Sequence, residues 1–227
     1  MTAAELAASL ERIGQVQPHL PSGTAVLLAI VALGAVAPGV WLVTRHLTTM
    51  AHEGAHATLA SSFGHRIDGI TFASNGDGLT THRGNSDAFG RGLIAFVGYL
   101  GPSAFGVGAA KLINSGHSVA VLWVGLAGLF GILLCLRKSF GVLSVTAAFV
   151  LLFLVAGFAR VGVQVVTAYL LAWFLLASGL RMIRLHGAGA RDAQGLSRSS
   201  GVPASFWSDI WELGALAALV YGAVLLV

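Results

Sequence analysis

Three residues inside an apolar stretch have the types and spacing of a metal-dependent hydrolytic site. His52, Glu53 and His56 form the pattern His-Glu-x-x-His. On an α-helix, positions i and i+4 lie on the same face, so both imidazoles can bind one metal ion. The glutamate beside the first histidine can then reach a water molecule at that ion. The pattern therefore predicts a zinc site with Glu53 as the general base.

A catalytic zinc site takes three protein ligands and leaves one position open for water, so the chain must supply a third ligand. The side chains of suitable type outside the motif are Asp68, Asp77, His82, Asp87, His186, Asp192, Asp209 and Glu212. A ligand in the loop 185–205, or at the start of the last apolar segment, would approach from the side at which the motif helix ends. The residue pattern alone does not choose between Asp192 and Asp209.

The composition indicates what kind of protein must hold this site. Of 227 residues, 56% are hydrophobic and only 10% are charged, whereas a soluble domain carries about 25% charged residues. Such hydrophobicity excludes a disordered chain, and a single cysteine, Cys135, excludes a disulfide scaffold. A multi-pass membrane protein remains. In such a protein a pI of about 9.8 indicates topology first, and no nucleic-acid partner is expected.

Seven apolar segments are candidates for membrane-spanning helices, which need about 20 residues each. They are 24–37, 39–63, 92–113, 118–136, 140–158, 163–184 and 206–227. The helix breaker Ala37-Pro38-Gly39 separates the first two, and the second carries the motif, so its polar face must look into the bundle. We therefore expect an all-α polytopic membrane protein of about six to seven transmembrane helices, with one small β-hairpin after the motif helix.

The basic residues predict which loops share a side of the membrane. With seven spans, one side receives the segments 1–23, 64–91, 137–139 and 185–205. Helix ends included, this side holds ten of the thirteen Lys and Arg residues: Arg12, Arg66, Arg83, Arg91, Arg137, Lys138, Arg181, Arg184, Arg191 and Arg198. Because Lys and Arg concentrate in cytoplasmic loops, 1–23 is predicted as an N-terminal cytoplasmic segment and 24–227 as a single membrane domain. Alternatively, 24–44 is one span and the His-rich stretch is re-entrant. The N-terminus then changes side, while the two long loops stay together.

A short β-hairpin is predicted at residues 67–82, directly after the motif helix. Asn75-Gly76 lies between two runs of β-favouring residues, 67–73 and 78–82, and this dipeptide is typical of hairpin turns. The hairpin serves either as a connector or, through an exposed edge, as a strand on which an extended peptide can pair. The sequence leaves both alternatives open.

The motif inside a hydrophobic segment resembles that of the site-2 proteases, a family of intramembrane zinc metalloproteases, and in particular of its compact bacterial members. The likeness covers about residues 38–212. The features that follow the order in that family are the Pro-led helix with Thr48–Ala57, the hairpin at 69–80, the helix-breaking turn Gly98-Tyr-Leu-Gly-Pro102 and the Arg-Asp-Ala stretch at 191–207. The chain departs from the family in lacking a Leu-Asp-Gly motif within a span, an Asn- and Pro-rich stretch before it, and a PDZ-like domain.

The resemblance implies that His52, His56 and Asp192 bind Zn²⁺ and that Glu53 is the catalytic base, with Asp192 in the third-ligand loop 185–205. It also implies a multi-pass protein of the bacterial cell membrane that cleaves transmembrane protein substrates within the lipid bilayer, as in regulated intramembrane proteolysis. Its active site would open to the cytoplasmic side.

Two other functions would use the same residues. A membrane transporter could use the His/Glu cluster as a metal or proton site, but transporters often contain repeated halves, and the sequence has no evident internal repeat. An inactive scaffold would keep the fold to bind membrane partners, and nothing in the residues favours it, since Glu53 is present. The residues name neither the substrate nor the oligomeric state.

Overall fold

The computed structural model describes residues 3–137 and 139–227. Lys138, one of the ten basic residues counted above, lies outside this part. The described chain forms nine α-helices and one two-stranded sheet. In order they are α1 (Ala3–Glu11), α2 (Ser22–Ala35), α3 (Pro38–Ser62), β1 (Arg66–Phe72), β2 (Gly78–Arg83), α4 (Ala88–Asn114), α5 (Ser118–Cys135), α6 (Ser139–Phe158), α7 (Val161–His186), α8 (Arg191–Ser200) and α9 (Ala204–Leu226). The all-α class with a small hairpin after the motif helix is confirmed.

Within the described residues, five helices are long and apolar enough to cross a membrane alone, namely α4, α5, α6, α7 and α9. Helices α2 and α3 pass the same test only together, and they are bent by 97° at the break between them. With 14 residues, α2 is about 21 Å long, less than the roughly 30 Å of a bilayer core. Pro38 begins α3, where a missing N–H breaks no helical hydrogen bond. The described chain thus has up to six spans, the lower of the expected numbers.

The N-terminal segment packs at the end of the bundle opposite the hairpin. The amide N–H of Gln17 donates to the carbonyl of Gly116 (2.7 Å), in the connection between α4 and α5. Its side-chain Oε1 accepts from the N–H of Val119 (3.0 Å). The hydroxyl of Ser22 donates to the carbonyl of Val227 (2.7 Å), so the C-terminus lies at this end too.

These contacts correct the arrangement expected from seven spans. Residues 1–23 do not share an end of the bundle with the loops 64–91 and 185–205, because α2 and α3, counted together as one bent span, connect one end to the other. The N-terminus has changed side as in the second alternative, but 24–44 is broken after Ala35 and the motif lies in the continuous helix α3 rather than in a re-entrant stretch. Among the described residues, the hairpin end carries Arg66, Arg83, Arg91, Arg137, Arg181, Arg184, Arg191 and Arg198, and the other end carries Arg12, Lys111 and Arg160. The hairpin end still carries most of the basic residues, because Arg12 is the one arginine found at a different end from the one predicted.

Strands β1 and β2 form the predicted hairpin, with Ile70 opposite Thr80 and Phe72 opposite Gly78. Gly76 in the turn has φ of 88°, a left-handed conformation that glycine adopts without strain. The outer edge of β1 is covered, since the N–H of Arg137 donates to the carbonyl of Ile70 (3.1 Å). No backbone hydrogen bond from outside the hairpin reaches β2 within the described chain.

The segment 185–205, which was expected to be a loop, contains the helix α8. Its polar composition did not predict a helix. Its ten residues are mostly polar, but Ala193 and Leu196 are buried, and Leu196 lies 3.9 Å from where a Cβ on Gly92 of α4 would be. The helix ends at Gly201, which has φ of 74°. A short amphipathic helix of this kind lacks the apolar run that marks a membrane span.

The turn expected at Gly98–Pro102 is also corrected, because α4 continues through it with Pro102 inside the helix. Small residues here let the motif helix approach closely. A Cβ on Gly101 would lie 2.5 Å from the Cβ of Ala55 in α3. Close packing against α3 therefore stabilises a helix that its proline would otherwise interrupt.

Candidate metal centre

The motif residues lie on the face of α3 that looks into the bundle. His52 and His56 are each 8% exposed and Glu53 is 4% exposed. The Nε2 atoms of the two histidines are 3.1 Å apart, with ring centroids at 4.7 Å. One helical turn separates the two residues, as the i, i+4 spacing predicts. His56 lies six residues before the end of α3, at roughly 9 Å along the helix axis.

Asp192 reaches both imidazoles from the first turn of α8. Its Oδ2 lies 3.2 Å from His52 Nε2 and 3.3 Å from His56 Nε2. The three ligand-type atoms all lie within 4.8 Å of one another, and no second group of three such residues is present in the described chain. The structure thus brings Asp192, and not Asp209, to the two histidines.

The other candidates for a third ligand lie outside this cluster, and most have partners of their own. Asp68 accepts from Arg83 Nε (2.7 Å) and Glu212 accepts from Arg184 Nε (2.7 Å). The remaining partners are Arg191 for Asp77, the N–H of Gly90 for Asp87, His65 for His82 and the carbonyl of Met182 for His186.

The hydrogen bonds of the cluster fit a cation. His56 Nδ1 lies 2.7 Å from the carbonyl of Ile94, an acceptor, so Nδ1 carries the proton of the neutral ring. The lone pair of its Nε2 then faces the Asp192 carboxylate, a repulsive contact unless a positive charge lies between them. An imidazole fixed by a carbonyl through its other nitrogen is the usual arrangement of a metal ligand.

The charge of the Asp192 side chain also suits the binding of a metal cation. Burial raises the pKa of this carboxyl, but without a metal ion hydrogen bonds from protonated His52 and His56 lower it, and the net pKa lies below its ordinary range. The group is therefore a carboxylate near neutral pH. Two neutral nitrogens and one carboxylate oxygen are a ligand set that zinc takes in catalytic sites.

Strand β2 covers the motif helix at Glu53. The hydroxyl of Thr80 donates to Glu53 Oε2 (2.7 Å). A Cβ on Gly78 would lie 2.5 Å from Glu53 Oε1, so only glycine leaves room for the carboxylate there. Neither contact could be predicted from the sequence, because the cross-strand pattern predicts a hairpin but not what the hairpin packs against.

Helix α4 closes the opposite side of the cluster. A Cβ on Gly98 would lie 2.2 Å from His56 Nε2, so the backbone of α4 touches the imidazoles directly. The next residue, Tyr99, places its ring 4.7 Å from that of His52 at 83° and stacks on Trp211 at 4.6 Å. In the sequence, the spacing of Gly98 and Gly101 was the one feature that could have predicted this contact with the imidazoles. It indicated close helix packing rather than a functional site.

Comparison with known proteins adds one finding. The model of the Peptidase M50B-like family matches residues 24–222, a range that includes the motif, the hairpin and Asp192. No curated protein and no solved structure matches the chain significantly.

Proposed function

The chain belongs to the Peptidase M50B-like family, the site-2 protease family of metallopeptidases, and on this premise we propose that it is a zinc endopeptidase that cleaves membrane-embedded proteins. Its apolar helices fit an integral multi-pass membrane protein. The observation that carries the proposal is the convergence of His52, His56 and Asp192 beside a buried Glu53. The position of the cluster, inside the bundle rather than on its surface, supports a membrane-embedded substrate.

The proposed ligands are His52 and His56, through their Nε2 atoms, and Asp192, through its carboxylate. Bound zinc supplies polarisation of the scissile carbonyl and a lower pKa for a water molecule at the site. The carbonyl of Ile94 supports this assignment, since it orients His56 with the unprotonated nitrogen toward the other two ligands.

Glu53 is the proposed general base. Because it directly follows His52 on the helix, its carboxylate is held beside the ligands. It accepts a proton from the attacking water and later passes this proton to the leaving amine. The burial of Glu53, which is 4% exposed, keeps the carboxylate inside the bundle with the proposed ligands.

The proposed substrate is a transmembrane segment bound in an extended form. A helix hides its peptide bonds in its own hydrogen bonds, so a segment must unwind before water can attack it. The outer edge of β2 supports pairing with such a segment. It runs past Glu53, while the outer edge of β1 is already covered by Arg137.

The proposed location is a bacterial cell membrane, with the site opening to the cytoplasmic side. Eight described basic residues at the hairpin end, against three at the other end, support that orientation. Cleavage of a transmembrane anchor in regulated intramembrane proteolysis is the corresponding physiological role.

The proposal is tested by zinc content and cleavage in the purified full chain. The probe is a reporter protein with one apolar transmembrane segment of about 20 residues. We expect about one zinc per chain. The variant Glu53→Gln should keep this zinc but lose about 10²–10⁴-fold in cleavage rate, because only proton transfer is removed.

The variant Asp192→Asn tests the third ligand in the same assay, with Asp209→Asn as its matched control. We expect zinc loss only from the Asp192 variant. If Asp192→Asn keeps both zinc and cleavage, Asp192 is not the ligand. A wild type without zinc would contradict the metalloprotease proposal. Zinc without cleavage would favour the scaffold, and ion flux across vesicles would favour the transporter.

A further inference from the structure

The side chain of Thr80 makes a contact that connects the hairpin to the proposed base. Its Oγ1 lies 2.7 Å from Glu53 Oε2 and 3.2 Å from the backbone carbonyl of the same residue. Successive residues of a strand point to opposite faces, so the neighbouring Thr81 faces away from α3. The hydroxyl of Thr81 donates to the carbonyl of Gly69 (3.1 Å), within the hairpin itself. Of these two adjacent threonines, one touches Glu53 and the other does not.

The orientation of Glu53 needs such a contact for two physical reasons. A glutamate side chain has several rotatable bonds, and proton transfer requires its carboxylate at hydrogen-bond distance from the attacking water. A carboxylate beside a divalent cation is also attracted to that cation and can become a ligand itself. A hydrogen bond from a hydroxyl to a charged acceptor is stronger than one between two neutral groups. It therefore opposes both rotation of the glutamate side chain and coordination of the cation by its carboxylate.

We propose that Thr80 is a positioning residue for proton transfer, holding Glu53 Oε2 so that the carboxylate serves as base and not as a metal ligand. This inference rests on the proposed function, in which Glu53 is the base. It adds that the hairpin is part of the catalytic apparatus in addition to any role in binding the substrate.

A purely structural role for Thr80 would be to fasten the hairpin to α3. Another residue already does this independently. The hydroxyl of Thr49 in α3 donates to the carbonyl of Gly76 in the hairpin turn (2.8 Å). If fastening were the role of Thr80, removal of the Thr49 hydroxyl would have a comparable effect on cleavage.

The test compares Thr80→Val with Thr80→Ser, Thr81→Val and Thr49→Val in the full chain, using the same transmembrane reporter. We expect Thr80→Val to lower kcat about 10- to 100-fold, since proton transfer contributes 10²–10⁴-fold and only its geometry is impaired. KM and the zinc content should stay at wild-type values. The variant Thr80→Ser should restore most of kcat, and the two other valine variants should keep it.

A second measurement does not depend on activity. The infrared carboxylate band of Glu53 is identified as the difference between wild type and Glu53→Gln. It should shift in Thr80→Val and stay unchanged in Thr81→Val, because only the former removes a hydrogen bond to this group.

Three results would overturn the inference: wild-type kcat in Thr80→Val, an equal loss in Thr49→Val, or an unshifted Glu53 band. Failure of the proposed function is a different result, in which the wild type itself does not cleave the reporter while the band still shifts in Thr80→Val.

Discussion

The molecule contains two pairs of adjacent histidines, one within α3 and one at the base of the hairpin that follows it. The side chains that face the two pairs differ in charge. In the pair His52–His56 the Nε2 atoms are 3.1 Å apart. In the pair His65–His82 the Nδ1 atoms are 2.8 Å apart. The first pair faces Asp192. The second lines a cavity of about 600 Å³ together with Arg83 and Arg91.

The difference shows that a short distance between imidazoles does not make a metal site. The Oγ of Ser86 lies 2.5 Å from His65 Nε2, so Ser86, His65 and His82 form a hydrogen-bonded chain in which one Nδ1 donates to the other. Within the described chain no carboxylate completes a group of three ligand atoms with this pair, and Arg83 and Arg91 line the cavity instead. The first pair instead faces the half-buried carboxylate of Asp192, and a cation between the three groups would relieve the repulsion between this carboxylate and the lone pair of His56. The second pair therefore connects the end of α3 to β2, whereas the first is the proposed metal site.

The largest expected effect separates the two pairs by their metal content. The variant His56→Ala should lose zinc and cleavage, whereas His65→Ala should keep about one zinc per chain, since a single catalytic site needs one ion. Metal analysis of the two purified variants is the measurement. Zinc loss from His65→Ala, in a protein that remains folded, would show that the second pair also contributes to metal binding.

A smaller effect is expected from the backbone contact of α4 with the first pair. The variant Gly98→Ala would place a Cβ 2.2 Å from His56 Nε2 and 2.8 Å from His52 Cε1. The imidazoles must then move. Zinc affinity should fall at least about 10-fold, as it does when groups that orient metal ligands are mutated. Competition with a chelator measures this.

The matched control is Gly108→Ala, in the same helix, where a new Cβ meets nothing within 4 Å. It should leave zinc affinity unchanged. Equal affinity in both variants would mean that the backbone of α4 does not constrain the ligands.

The smallest effect concerns pH at the second pair. Burial and the adjacent His65 lower the pKa of His82. The unfolded chain therefore takes up this proton at a higher pH than the folded protein. The stability contributed by neutral His82 is complete above about pH 6.5, the ordinary histidine value, and is lost as the pH falls through the lower folded value.

Hydrogen exchange of the β2 amides, corrected for intrinsic rates, should accordingly increase when the pH is lowered from about 7.5 to about 5.5. In His82→Gln, which cannot take up the proton, this additional increase should be absent. A pH dependence that persists unchanged in the variant would place its origin elsewhere.

The five long apolar helices, the hairpin and three of the four proposed site residues could be predicted from the sequence, because each depends on near neighbours. Apolar runs predicted the spans, and Asn75-Gly76 predicted the hairpin turn. The spacing of His52 and His56 placed both on one face of a helix, since four residues make about one turn. These are short-range properties of the chain, and the structure agrees with them except that the first two apolar segments, α2 and α3, count together as one bent span.

The remaining features depend on packing between distant segments. Asp192 and Asp209 are the same residue type in a similar sequence position, and only the path of α8 brings one of them to the histidines. The end of the bundle at which the N-terminus lies depends on whether α2 and α3 cross the membrane once or twice. The charge pattern could not decide this, because Arg12 is the only Lys or Arg residue in the segment 1–23. Thr80 reaches Glu53 through the docking of the hairpin on α3.

The sequence by itself thus determined the membrane class, the motif and the chemistry that the motif can perform. The tertiary structure decided which carboxylate faces the histidines, which threonine faces the base and which end of the bundle holds each terminus. The physical reason is that helix periodicity and hydropathy act over a few residues, whereas ligand convergence follows from the packing of α3, α4, α8 and the hairpin against one another.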